Sequence, residues 1–416
     1  IHEPGFPKEW AHAPFTCDWG RAGLFRHSVK RSGAGFIETE APQTFIKVTR
    51  PTDADVDGLS RVYQASWKGP ATFNWAGPEH GYIARVTPKG FKPDALPDFE
   101  KLTDAQLVKL LESPSHIRAL TAQRTLLRRL KTPDTTQSLL ALAGNPKKEL
   151  RARIAALYAV TQHGVDSHHS QGVIKSVTSL ATDAELQPFV LRALGDLGLD
   201  QLTKGRPGPA PAALFLAGMK SKDARTQVEA IIAAARQRCM DAAGAIAGRL
   251  GDADAVIAHT AFRALALLGA SDVCFAVLDT SGSSDAQRLG AAHALMRMHR
   301  ADVVGGLIRR LSPQPTKPVL AALCRLYHRE APWKGDSWGT RPDTRGPYYQ
   351  LETWEQSGQI LKALKGVLTT APPAIAAELI GEMNRNRIQS SDALKRVIEI
   401  ASKDETHVTA AVAQLA

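Results

Sequence analysis

Between Ile1 and about Pro88, short apolar runs alternate with turn residues: FTCDWG, AGLFRH, GFIETE, TFIKVTR, RVYQASW and YIARVTP. Runs rich in Phe, Ile, Val, Tyr and Trp, broken by Gly, Pro and Asp, predict six antiparallel strands. Such a set has unpaired edges unless further strands, upstream or on another chain, complete it. Residues 89–101 hold KGFKPDALPDF, which has no period and reads as an extended linker. At Leu102 the spacing of apolar positions changes. In LTDAQLVKLL, Thr103 is the expected N-cap, and Leu102, Leu107, Leu110 and Leu111 share one helical face.

The helical pattern then repeats loosely through HIRALTAQRTLLRRL, ELRARIAALYAVTQHG, LQPFVLRALGDLG, RTQVEAIIAAARQ, AVIAHTAFRALALLG, AQRLGAAHALMRMH and KPVLAALCRLYHRE. A recurrence of roughly 30 to 40 residues is close to that of helix-pair solenoids of the HEAT type. Alanine lets neighbouring helices approach, and leucine and isoleucine fill the core that stacked repeats share. Two stretches break the pattern, residues 202–212 (LTKGRPGPAPA) and 330–354, the latter too long and too aromatic for an ordinary inter-helix turn. The expected fold is mainly α, a HEAT-repeat α-solenoid over 102–416 preceded by a small antiparallel β segment.

Composition sharpens this division, since Gly, Pro, Trp and His crowd into the first hundred residues while Ala and Leu dominate afterwards. Lys+Arg 52 against Asp+Glu 41 gives a net charge of +11, which permits attraction to nucleic acid, anionic lipid or an acidic partner. The cations recur as RTLLRRLK, KKELRAR and IRRL, positions that also suit a solvated helix face. The cysteines Cys17, Cys239, Cys274 and Cys324 form no CxxC, so no zinc ribbon is expected. No CxxCH is present, so haem c is absent too. No apolar run is long enough to span a bilayer. No charged-then-apolar leader opens the sequence, which begins at Ile1, as expected of a processed chain or a fragment of a longer protein.

HAPFTCDWGRAGLFRH at 12–27, RPTDADVDGLSRVYQASWKG at 50–69, GYIARVTP at 81–88 and WGTRPDTRGPYYQLETWE at 338–355 resemble the PVC-type membrane-bound dehydrogenase family. The resemblance implies a β-propeller similar to the sugar and sorbosone dehydrogenases, then HEAT repeats and, commonly, a c-type cytochrome domain. A propeller needs about four blades or more, and residues 1–88 supply strands for about one or two. The resemblance therefore implies partial β-propeller blades, the propeller's C-terminal end, joined to the HEAT domain. It also implies a periplasmic or secreted location.

Four constellations could carry chemistry. Asp53-Ala54-Asp55-Val56-Asp57-Gly58 reproduces the DxDxDG opening of a calcium loop, with Arg61 and Gln64 where the later ligands would stand; the competing reading is turn chemistry. His12, Asp18, Trp19, Arg21 and His27 put acid, base, cation and aromatic groups within one strand and its flanks, a candidate catalytic set or a packing device. Trp338, Arg341, Asp343, Arg345, Tyr348, Tyr349 and Trp354 can form a recognition loop or a stacked plug. His163, His168 and His169 on one polar connector are a weaker metal candidate.

The function expected is a non-catalytic scaffold docking a protein partner or the remainder of its own longer polypeptide. Two other readings compete. One is a basic nucleic-acid-binding repeat protein, the other part of a sugar or alcohol oxidoreductase completed by further propeller blades.

Overall fold

A computed structural model describes residues 1–11, 13–67, 81–129, 132–162, 171–198, 210–312, 314–332, 334, 348–403 and 409. The chain divides into two compact units, Ile1–Arg238 and Cys239–Ala416.

Among the described residues the first unit opens with eight strands, two more than the apolar runs predict. They are β1 (Phe15–Asp18), β2 (Gly23–Arg26), β3 (Val29–Ser32), β4 (Gly35–Glu38), β5 (Gln43–Lys47), β6 (Pro51–Val56), β7 (Val62–Trp67) and β8 (Gly81–Val86). They form antiparallel sheets in the orders β1-β2-β5, β3-β4 and β6-β7-β8. The unexpected strands are polar: VKRS and PTDADV are extended because a partner pairs with them, not because they bury an apolar face. Gly33, at φ 56°, supplies the left-handed turn that closes β3 onto β4. In β7 the buried positions are Val62, Gln64 and Ser66, so the inward face is partly polar. Its polar groups are satisfied: Gln64 donates to the carbonyls of Asp53 (2.7 Å) and Ala65 (3.0 Å), and Ser66 to that of Thr49.

After the linker, helices follow as α1 (Asp104–Leu110), α2 (His116–Arg128), α3 (Pro133–Ala143), α4 (Leu150–Gln162), α5 (Gln171–Ser179), α6 (Gln187–Leu197), α7 (Ala212–Gly218) and α8 (Ala224–Arg236). Thr103 is the N-cap expected of it, in a capping box with Gln106. Short connections make neighbours antiparallel, and α2, α4, α6 and α8 pack in series as one row. The approach of α6 to α8 depends on small residues. A Cβ at Gly195 would lie 2.9 Å from Ala233 Cα.

One cation expected on a solvated face lies inside. Arg153, in KKELRAR, is 1% exposed. Its Nε donates to the Ala143 carbonyl that ends α3 (3.0 Å), and its Nη2 meets Asp183 at 2.5 Å. Ala156 at i+3 and Leu157 at i+4 share the buried face of Arg153, which explains the miss: the helical stripe runs through the arginine.

The second unit holds α9 (Ala243–Ala247), α10 (Ala255–Leu268), α11 (Ser271–Asp279), α12 (Asp285–Leu295), α13 (Ala301–Arg309), α14 (Lys317–Leu326), β9 (His328–Glu330), β10 (Leu351–Thr353), α15 (Ser357–Thr370), α16 (Pro373–Arg385) and α17 (Ser391–Ala401). Here α10, α12, α14 and α16 form one row, with α9 against α11 and α13, α15 and α17 in series behind it. Among the described residues, 220–310 contain no strand. YHRE, expected to finish a helix, instead leaves α14 and pairs as β9 with β10. The fold is thus mainly α, HEAT-type stacks of antiparallel helix pairs with a small antiparallel β segment ahead of them. Among the described residues no helix is long and apolar enough to cross a membrane.

Candidate functional site

The aspartate motif builds a turn. Asp53 and Asp55 lie on β6, each accepting from the amide of the next residue, at 2.8 and 2.7 Å. Asp57 begins the turn into β7 and accepts the amides of Leu59 (2.9 Å) and Arg61 (3.0 Å), the Arg61 guanidinium and the Tyr63 hydroxyl. Burial raises the Asp57 pKa, but Arg61 and these donors outweigh it and hold the carboxyl below its usual range. Among the described residues no three His, Cys, Asp or Glu side chains gather where they could hold a metal.

That turn docks onto the helices. Arg118 on α2 donates to the carbonyls of Gly58 (2.9 Å), Asp94 (2.5 Å) and Ala95 (3.3 Å), clasping turn and linker together. Beside it, Glu3 accepts the Ile117 amide (3.1 Å) at the start of α2, where helix N–H groups lack intrahelical partners. Neither residue was singled out from sequence, because both act on main-chain atoms far away in the chain.

The candidate catalytic residues are distributed along one hairpin. Asp18 ends β1 and accepts the Arg21 amide (2.8 Å), while the Arg21 guanidinium lies 4.2 Å from the Phe25 ring centre. Trp19 stands in the same turn, with Arg50 5.7 Å from its ring. His27 is at the open end, bonded to Thr16 (2.7 Å) and Glu38. The register Asp18↔Gly23 to Phe15↔Arg26 separates turn from open end. His12, His163, His168 and His169 lie outside the described residues.

The foot of the aromatic loop is a helix cap. The last carbonyls of a helix have no intrahelical donors. At the end of α14, Tyr348 Oη donates to Arg325 O (2.7 Å), Trp354 Nε1 to Leu326 O (2.7 Å) and Ser357 Oγ to Tyr327 O (2.6 Å). His299 Nε2 then lies 2.9 Å from His328 O, and because a carbonyl only accepts, the proton is on Nε2. Tyr348 is 5% exposed under the Arg325 guanidinium, 3.7 Å from its ring centre. Tyr349 is half-buried, its amide held by Glu330 (3.1 Å), and Arg329 pairs with Glu352 (2.7 Å) across β9 and β10. Burial pushes His299 below its usual value, against the pull of the His328 carbonyl and with Arg325 and Arg329 adding to it. Burial lowers His328 likewise, opposed by the Asn386 carbonyl. Trp338, Arg341, Asp343 and Arg345 lie outside the described residues.

A second surface has no counterpart in the sequence reading. On the row of the second unit, Phe262 of α10 is flanked edge-on by His259 (4.8 Å) and by His293 of α12 (5.4 Å), with Arg297 5.6 Å from its ring. On the same two helices Val256 is 42%, Leu267 47% and Leu289 46% exposed. Val256, His259, Arg263 and Leu267 recur at the i, i+3, i+7, i+11 spacing of one helical face. That was the available signal: apolar residues on the face opposite the buried one. All four cysteines are free, and burial pushes Cys274 up to about 12.

The sequence matches no family profile, and no curated protein matches it. Solved structures do. The chain is similar to YibA of Escherichia coli (12% identity, TM-score 0.38, 71% of this chain and 100% of that one). It is similar to Kap121p bound to Pho4p (12%, 0.36, 74% and 38%). A third likeness is to human deoxyhypusine hydroxylase in complex with glycerol (13%, 0.27, 68% and 96%). Likenesses this distant say nothing of what the chain binds.

Proposed function

We propose that this chain is the non-catalytic portion of a periplasmic or secreted dehydrogenase-like protein, in which the helix rows dock a protein partner or the remainder of the same polypeptide. The observation that carries this reading is the hairpin: Asp18 pairs with Arg21 in its turn (4.0 Å) while His27 is bonded to Thr16 and Glu38 at its open end, so the acid and cation do not meet that base. Catalysis by positioned groups needs them within hydrogen-bond reach of one reacting centre. The motifs at 12–27, 50–69, 81–88 and 338–355 support the dehydrogenase-like context. The helical repeats, which bury their faces only by stacking, support the scaffold role.

A dye-linked dehydrogenase assay tests it. The 416-residue chain, incubated with sugars, polyols and alcohols and an artificial electron acceptor, should give no substrate-dependent reduction. Turnover that disappears in Asp18→Ala would overturn the reading.

A further inference from the structure

Resting on the scaffold reading and deepening it, we infer that the exposed face of α10 and α12 binds an acidic protein segment that carries leucine-like side chains. The face pairs two features that seldom occur together on solvent-facing helices. Val256, Leu267 and Leu289, each more than 40% exposed, lie on the same two helices as the His259–Phe262–His293 ring stack and give the face its apolar floor. Apart from Asp254 and Asp285 at the two helix starts, the charged side chains of these helices are cationic. α10 (AVIAHTAFRALALL) contains no acid, and the acid of α12 is Asp285 at its first position, which lies 3.4 Å from Arg288. Among the described residues the guanidiniums of Arg263 and Arg297 make no ion pair. The crowding of positive groups is felt locally: after burial, Arg297 and His259 both depress His293.

Charge complementarity therefore selects an acidic occupant, and the aliphatic side chains select one with apolar anchors. A nucleic acid fits less well. Neither helix contains a lysine, and a phosphate backbone needs a row of cations while leaving the exposed leucine side chains against sugar and phosphate. An acidic amphipathic segment satisfies both features, with leucine-like side chains on the floor and carboxylates on Arg263 and Arg297.

The test is fluorescence anisotropy with the full chain and a labelled peptide of about fifteen residues, Leu at helical spacing among Glu and Asp. Its Lys-for-Glu counterpart, a Leu-to-Ser counterpart and a duplex oligonucleotide serve as competitors. Only the acidic, leucine-bearing peptide should saturate. The double variant Arg263→Glu/Arg297→Glu should weaken it more than about tenfold, and Leu289→Asn alone about threefold or more, with far-UV circular dichroism and melting unchanged in both. No saturation, equal binding of the Leu-to-Ser peptide, indifference to the charge reversal, or competition by the oligonucleotide at equal concentration would each overturn the inference. Failure here leaves the scaffold reading standing, whereas substrate turnover in the dye assay would remove that reading without touching the peptide result.

Discussion

Arg153 and Asp183 should respond asymmetrically to mutation, although they are two ends of one ion pair. The arginine side chain is 1% exposed and the aspartate side chain 27%. In Asp183→Asn, the amide oxygen still serves the Glu185 and Leu186 amides, but a buried guanidinium keeps only the Ala143 carbonyl and Glu185 at 4.0 Å. Stranding a buried charge costs about 3–5 kcal/mol. In Arg153→Met, which roughly preserves volume, the freed carboxylate can hydrate and the main loss is the donor to Ala143 O, about 1–3 kcal/mol. Burial raises the Asp183 pKa, but its bonds to Arg153 and to backbone amides outweigh this and hold it below 3.8. Its contribution is thus present above that value and lost as pH falls through the folded-state pKa. Urea titrations followed by circular dichroism should place the Asp183→Asn midpoint below that of Arg153→Met, with both below wild type. An Arg153→Met midpoint equal to or lower than that of Asp183→Asn would refute the reasoning.

Removing the Tyr348 hydroxyl (Tyr348→Phe) uncovers Arg325 O at a cost of about 0.5–1.5 kcal/mol, so calorimetry should show melting a few degrees lower with helix content intact. Burial holds His293, His299 and His328 below 6.5, so the unfolded chain binds protons that the folded chain refuses. Their contribution is complete above about pH 6.5 and falls as pH drops below it, and calorimetry there should detect uptake of up to about three protons on unfolding. Zero uptake would contradict the burial of all three. Gly195→Ala should destabilise by about 1–3 kcal/mol, because the added methyl meets the Ala233 backbone of α8; unchanged urea stability would mean that the two helices can part freely.

The helical half of the fold was legible because its signal is local. Thr103 caps α1, and the segments at 116–130, 149–164, 225–237 and 255–269 each contain the helix their leucines and alanines predict. The strands β3 and β6 were not, since a polar strand is created by its partner and leaves no period of its own. Asp57 was found by its motif, with turn chemistry and a calcium loop both open: the sequence alone cannot tell a carboxylate that closes a turn from one that faces a metal, because both need Gly at the next position. Of the aromatic set, Tyr348 is buried at the end of α14. The caps that Tyr348, Trp354 and Ser357 provide depend on two carbonyls of α14 and that of Tyr327 just after it, an end the sequence ran past into YHRE.

The Arg118 clasp has an evolutionary consequence. Two of the carbonyls it grips belong to Asp94 and Ala95, whose side chains are exposed and take no part in the bond. Such a joint recognises the path of a backbone and is indifferent to most of the residues that follow that path. Substitutions at 94 and 95 that keep the chain extended should leave the clasp in place, whereas a Cβ at Gly58 would stand 3.0 Å from Leu96 and 3.3 Å from Arg118, side chains that would have to give way. One arginine thus ties the turn and the linker to the repeats through main-chain atoms alone, with the Glu3 carboxylate on the Ile117 amide as a second tie.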